Sequence, residues 1–192
     1  MVKSVLCILT ATTIAGIAFS TTAASAAPRP AALAYSSTPD AASGDPDTTV
    51  TFTVNVGGLT MTAPASADLA SGDPGTNIVA ALGAVVVTDA RALLAASWDT
   101  TASATSWTTG THTAAETIAA SLVAYDPGTP FTTGTITTAG TKINLSGTAT
   151  TVVAGTNGIG NNTATWNPTM TVAVPAAAVG GLYTGTLTQS VS

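Results

Sequence analysis

Few side chains in this chain are equipped for chemistry. Its 192 residues include one histidine, His112, one cysteine, Cys7, nine Asp and Glu, and four Lys and Arg. A nucleophilic relay needs a histidine oriented between a hydroxyl or thiol and a carboxylate. His112 lies in the polar stretch Thr111-His112-Thr113 with no motif to organise it, and reads as a solvated loop residue. One histidine and no thiol beyond Cys7 cannot supply the three or four ligands of a zinc site. The echoing segments Ser43-Gly44-Asp45-Pro46 and Ser71-Gly72-Asp73-Pro74 offer too few carboxylates for calcium, which needs six or more oxygens. They are a recipe for a turn, with Asp bonding nearby backbone and Pro fixing φ. Glycoside hydrolysis needs two carboxylates facing one bond, and most of the acids here flank Pro or Gly in turns. The expectation is therefore a protein that is not an enzyme, with no metal and no cofactor; a carbohydrate hydrolase using two turn carboxylates is the rival.

Aromatic rings are the remaining candidates for a binding surface. Trp107, just before Thr109-Gly110, reads either as an edge cover or as an exposed binding aromatic. Trp166, beside Asn167-Pro168, reads either as a stacking face or as a cap on the core. Tyr125 is the third ring to consider for stacking on a sugar.

Around these residues the chain divides into three parts. Lys3, the apolar run Val5 to Phe19 and the small-residue site Ala24-Ser25-Ala26 have the pattern of a secretory signal peptide over residues 1–26. Cys7 lies inside the apolar run and follows no lipidation box. Residues 27–47 are rich in Ala, Pro, Ser and Asp and read as a flexible leader. Residues 48–192 form the expected domain, of a size that can bury enough apolar surface without disulfides. Cleavage after Ala26 leaves Arg29, Arg91 and Lys142 against nine acids, a net charge of −6. Nucleic acid is an unsuitable partner for such a chain, and no basic run suits an anionic membrane. The expected location is outside the cell, secreted or associated with the cell wall, with no transmembrane anchor after cleavage.

The domain itself reads as all-β. Threonine, with 40 copies, takes the solvent faces that charge usually takes. Thr49 to Val56 alternates Val50, Phe52, Val54 and Val56 against Thr and Asn, and Gly57-Gly58 then breaks the run before Leu59-Thr60-Met61-Thr62 resumes it. Residues 63–76 are punctuated by Pro and Gly and read as a loop. Ile78 to Thr88 reads as one central strand buried on both faces. Beyond a short apolar loop, Ser97 to Ser103 places Trp98, Thr100 and Ala102 opposite Asp99, Thr101 and Ser103. Ala114 to Tyr125 reads as one helical turn or an irregular connection, with Ile118, Leu122 and Tyr125 inward. Shorter strands follow at 134–138, 142–145 and 148–153, then a Gly/Asn loop over 155–162. Two alternating runs close the chain: Met170, Val172 and Val174 share one face of the first, and Tyr183, Leu187 and Val191 one face of the second. Eight to ten short strands predict a single β-sandwich, Ig-like or jelly-roll in type. Phe52, Val54, Val86, Trp98, Met170, Val172 and Leu187 are expected in one core.

One resemblance emerges from Val87-Thr88-Asp89-Ala90-Arg91, Ser97-Trp98-Asp99-Thr100, the Val-Pro-Ala connection at residues 174–176, Gly181-Leu182-Tyr183-Thr184 and Leu187-Thr188-Gln189-Ser190-Val191. Over roughly residues 49–192 the chain resembles the WxL-domain surface proteins of Gram-positive bacteria. Trp98 matches the Trp of the first Trp-x-Leu motif, with Thr100 in place of Leu. Gln189 and Val191 stand where the second motif has Trp and Leu. The resemblance implies a non-catalytic cell-surface module that attaches noncovalently to cell-wall peptidoglycan. Another surface protein is the alternative partner, as in a surface complex or adhesin. The Ala-, Gly- and Thr-rich composition suits a GC-rich genome, and an actinobacterial relative is the expectation.

Overall fold

Threonine and valine in alternation favour extended backbone, because branched side chains pack well on a pleated surface. The structure, a computed structural model that describes residues 48–192, is accordingly built from strands, with no α-helix among the described residues. The expected signal peptide and leader lie outside the described residues. The strands in chain order are β1 (Leu59–Thr62), β2 (Asn77–Ala81), β3 (Val85–Ala104), β4 (Trp107–Thr108), β5 (Thr117–Ile118), β6 (Val123–Asp126), β7 (Phe131–Thr133), β8 (Thr137–Gly140), β9 (Ile143–Asn144), β10 (Thr150–Trp166), β11 (Thr169–Ala173) and β12 (Leu187–Val191). Short 3-10 turns at Ala114–Glu116 and Ala120–Leu122 interrupt them.

All pairings are antiparallel, and two main sheets form a β-sandwich. The larger is organised on the ladder between β3 and β10, with β1 and β12 on the other side of β3, and β7 and β8 on the other side of β10. The smaller runs β2-β11-β6-β9. A two-stranded ribbon joins β4 to β5. β3 and β10 span 20 and 17 residues, far beyond the roughly 5–6 usual for a strand, and each bends to remain in register. Ala92 and Ala95 on β3 and Asn157 and Gly160 on β10 have positive φ, and the ladder shifts register between Gly155 and Asn162. These are bulges, which bend a strand and sharpen its twist. Two stretches expected as loops, before Ser97 and over 155–162, are thus the bulged middle of a continuous ladder.

Alternation fixes which side chains enter the interior. Trp98, Thr100, Ala102 and Ala104 are buried along the second half of β3, and Met170 and Val172 on β11, as their period of two predicts. The interior is divided in two. One cluster lies between the sheets and holds Ala102, Val123, Tyr125, Leu145, Val152, Met170 and Val172, with Leu187 packed against it. The other gathers Val85, Val87, Trp98, Val153, Ala164 and Trp166, with Leu59, Met61 and Val191 alongside. Val85 and Trp98 come from opposite arms of the bent β3.

Four expectations are corrected. Phe52 and Val54 are not core residues: they are 87% and 69% exposed, and Thr51–Val56 has no ladder partner, because alternation specifies a face without supplying a neighbour. The run Ile78–Thr88 is two strands in different sheets, separated at Leu82–Ala84, where Gly83 takes φ +105° and its N–H donates to Asn167 Oδ1. Within β3 it is Val85 and Val87 that are fully buried, with Val86 on the opposite, half-exposed face. Leu122 points outward at 39% exposure, while Ile118 and Tyr125 are buried.

Candidate functional site

The three candidate aromatics meet different fates. Trp166 ends β10 and is buried, and Tyr125 in β6 has no exposed surface. Trp166 Nε1 donates to the Tyr125 hydroxyl at 3.0 Å, and that hydroxyl donates to Gln189 Oε1 at 2.8 Å. The three side chains form one hydrogen-bonded chain through the interior, satisfying groups that would otherwise be costly to bury. Burial pushes the Tyr125 phenol up to about 12, against the opposing effect of the Trp166 hydrogen bond. Neither ring offers a face to a sugar: Trp166 takes the second of its two readings, a cap on the core, and Tyr125 packs inward, which removes both as stacking candidates. Gln189 is the acceptor that ends this chain.

The segments holding Trp98 and Gln189 lie side by side. β12 pairs with β3 so that Gln189 faces Ala102 and Val191 faces Thr100, and Val191 packs in the cluster that holds Trp98. The Trp98 indole lies over Gly155, its ladder partner, so closely that a methyl at 155 would overlap Cε2, Cζ2 and Nε1.

Trp107 is the candidate that reaches a cavity. It is half-buried on β4 and, with Ile78 and Leu82 from β2 and its exit, Met170 from β11, and Leu187 and Gln189 from β12, lines a groove of about 1050 Å³. Residues 64–72 and 178–187 form its rims. Protein interiors contain few voids larger than a water, whose share of volume is about 30 Å³, so this is an opening of the sandwich and not a packing flaw. Gly185 lies against the Trp107 ring, where a Cβ would come within 2.8 Å of Cγ and Cδ1, and no larger residue could sit there without moving the indole.

The groove has little acid-base equipment. Among the described residues lining it, only Asp68 and Tyr183 titrate. Asp68 Oδ1 accepts the Ala70 N–H at 2.9 Å, and the Tyr183 hydroxyl lies within hydrogen-bonding distance of the carbonyls of Ala115 and Val179, at 3.1 and 2.9 Å. Both are occupied in holding the rims.

Other polar clusters serve structure. Asp89 is buried, and its carboxylate accepts Arg91 Nε and Nη2 in a fork, each at 2.8 Å; Nη2 also donates to the Ser97 carbonyl. Arg91 thereby straps the bend of β3. Its hydrogen bonds hold the Asp89 carboxyl below the usual carboxylate range, partly offset by burial. The Glu116 carboxylate accepts the N–H and hydroxyl of both Thr113 and Thr111 through Oε2, and these bonds, those from Thr113 foremost, lower it to about 2. His112 sits exposed between those threonines at φ +65°, its N–H bonded to the Thr109 carbonyl. No group of three or more His, Cys, Asp or Glu able to hold a metal occurs among the described residues.

Sequence reasoning missed the Asp89–Arg91 fork, although residues two apart on a strand share a face. It also missed the groove, which no local pattern announces. Compared with known proteins, the chain matches no family model, no curated protein and no solved structure.

Proposed function

We propose that this domain is a non-catalytic module that works outside the cell by holding an extended segment of polypeptide in its groove, as a subunit of a surface assembly. The observation that carries this reading is the lining of the groove: Ile78, Leu82, Met170, Val172, Val174 and Leu187, with Asp68 as the one charged side chain. A cleft that mixes these apolar side chains with the polar Ser66, Ser71, Thr184, Thr186 and Gln189 suits a chain that alternates apolar and polar residues, because main-chain bonds to an edge supply affinity and alternate side chains fill the cleft. The pattern of residues 1–26 supports the extracellular setting.

Titration with eight-residue peptides alternating Val or Phe with Thr, followed by tryptophan fluorescence, tests the reading. Saturable binding that is abolished by filling the groove with Ala178→Trp is expected. Absence of binding by every such peptide, while Ala178→Trp leaves the fold intact, would defeat it.

Attachment to peptidoglycan is the second reading, favoured by the half-buried Trp107 in the groove lining and by the resemblance to wall-binding surface proteins. It predicts that the domain pellets with purified cell walls and that Trp107→Ala releases it to the supernatant.

A further inference from the structure

A segment of this chain has the pattern that the groove lacks. From Thr49 to Val56 the residues alternate without a fault, Val50, Phe52, Val54 and Val56 on one side and Thr49, Thr51, Thr53 and Asn55 on the other. Phe52, Val54 and Val56 are nevertheless 87%, 69% and 70% exposed, a row of large apolar side chains that soluble proteins ordinarily cover. The segment is held at its C-terminal end, where Gly57 N–H donates to the Ala90 carbonyl at 2.7 Å and Ala90 N–H to the Gly58 carbonyl at 2.9 Å before β1 begins. None of Thr51–Val56 lines the groove of its own domain.

The groove is bounded by two strands with an edge to offer. β2 pairs only with β11, and β12 only with β3, among the described residues. Exposed edges are usually blunted by charge, proline or a bulge. β2, Asn77-Ile78-Val79-Ala80-Ala81, carries none of these, and neither does Leu187-Thr188-Gln189-Ser190-Val191 of β12. Both project side chains into the groove. Residues 48–67 carry no charge, and the lining carries one, the exposed Asp68 on the rim, so no ion of the strand is stripped of water when the two meet.

Resting on the polypeptide-holding reading, we propose that the groove takes the Thr49–Val56 strand of a second copy of this chain, added beside β2 or β12 with Val50, Phe52, Val54 and Val56 facing inward. Each copy then presents one donor strand and one acceptor groove. Such a contact is head to tail, and it extends into a filament unless the rotation between copies closes a ring.

Light scattering of the purified protein across a concentration series tests this, alongside the double variant F52D/V54D. Oligomers larger than a dimer are expected for the natural chain and a monomer for the variant. At least about a tenfold rise in the concentration needed for association would separate them. Because these side chains lie outside both cores, the variant should melt as the natural protein does at concentrations below those at which the natural chain associates. A peptide with the sequence of residues 49–56 should bind the monomeric variant saturably, and Ala178→Trp should prevent it. A natural chain that is monomeric throughout, with no binding of that peptide to the variant, overturns the proposal. If unrelated alternating peptides bind and this one does not, the self-assembly fails while the polypeptide-holding reading stands. If the variant melts lower and the peptide restores it, yet the natural chain is monomeric, the strand fills the groove of its own domain and the second copy is excluded.

Discussion

Trp166 and Tyr125, 41 residues apart in sequence, meet through a 3.0 Å hydrogen bond from Nε1 to the phenol oxygen. The bond turns two rings that resembled binding surfaces into an internal tie between β10 of one sheet and β6 of the other. Tyr125→Phe removes the hydroxyl, leaving the Trp166 N–H and Gln189 Oε1 without this partner. A loss of about 1–3 kcal/mol is expected in urea denaturation, the cost of stranding a buried polar group. Gln189→Leu should cost less, because the tyrosine hydroxyl retains its bond from Trp166.

The same phenol gives the protein an alkaline limit. Its folded value of about 12 lies above the ordinary 10, so the protonated form is favoured by folding. That stability is complete below pH 10 and is lost as pH rises toward 12. Thermal melts across this window should fall for the natural protein and fall less for Tyr125→Phe.

Acid acts through the opposite sign. Glu116 and Asp89 are both depressed in the folded state, so their contributions are present above the ordinary carboxylate values and disappear as pH falls through the folded ones. For Glu116 that window runs from the ordinary 4.5 down to about 2. NMR titration should show the amides of Thr111 and Thr113 moving with a midpoint near the lower value. A midpoint at the ordinary value would show that the four bonds to Oε2 do not persist in solution.

The fork between Asp89 and Arg91 predicts a larger effect. Asp89→Ala leaves the guanidinium without its carboxylate and loosens the strap to Ser97, with an expected cost of about 2–4 kcal/mol, toward the lower part of what breaking a buried pair costs because Arg91 is partly exposed. Calorimetry of the variant should show a melting temperature lower by several degrees.

Gly155→Ala tests the packing of the Trp98 indole on the ladder. The added methyl falls on the Trp98 ring, and displacing the indole should cost about 1–3 kcal/mol, the usual scale for overpacking. Gly147→Ala is the control, since a Cβ there meets nothing within 4 Å.

Alternation was legible wherever a strand found its partner close by. Trp98-Asp99-Thr100-Thr101-Ala102 and Met170-Thr171-Val172 show their buried and wet faces directly, and the all-β class follows from the frequency of such runs. The pattern misled at Thr49–Val56, because a period of two states which face can be buried and not whether the same chain offers somewhere to bury it. Ala92-Leu93-Leu94-Ala95-Ala96 and the Gly- and Asn-rich run from Gly155 to Asn162 resembled loops, since neither alternates apolar with polar side chains. Hydrogen bonding across the ladder keeps them in strands. The groove and the Trp166–Tyr125–Gln189 chain join residues far apart in sequence, and only the pairing of sheets brings them together.

The bent ladder of β3 and β10 also determines how the molecule comes apart. Val85 and Val87 on one arm and Ala102 and Ala104 on the other belong to different clusters but to one unbroken strand. Opening either cluster strips bonds from the same pair of strands. Two cores on separate scaffolds would melt in two steps, whereas these share a spine and should melt in one. Amides at both ends of β3 should then exchange with solvent at the same slow rate, governed by unfolding of the whole domain.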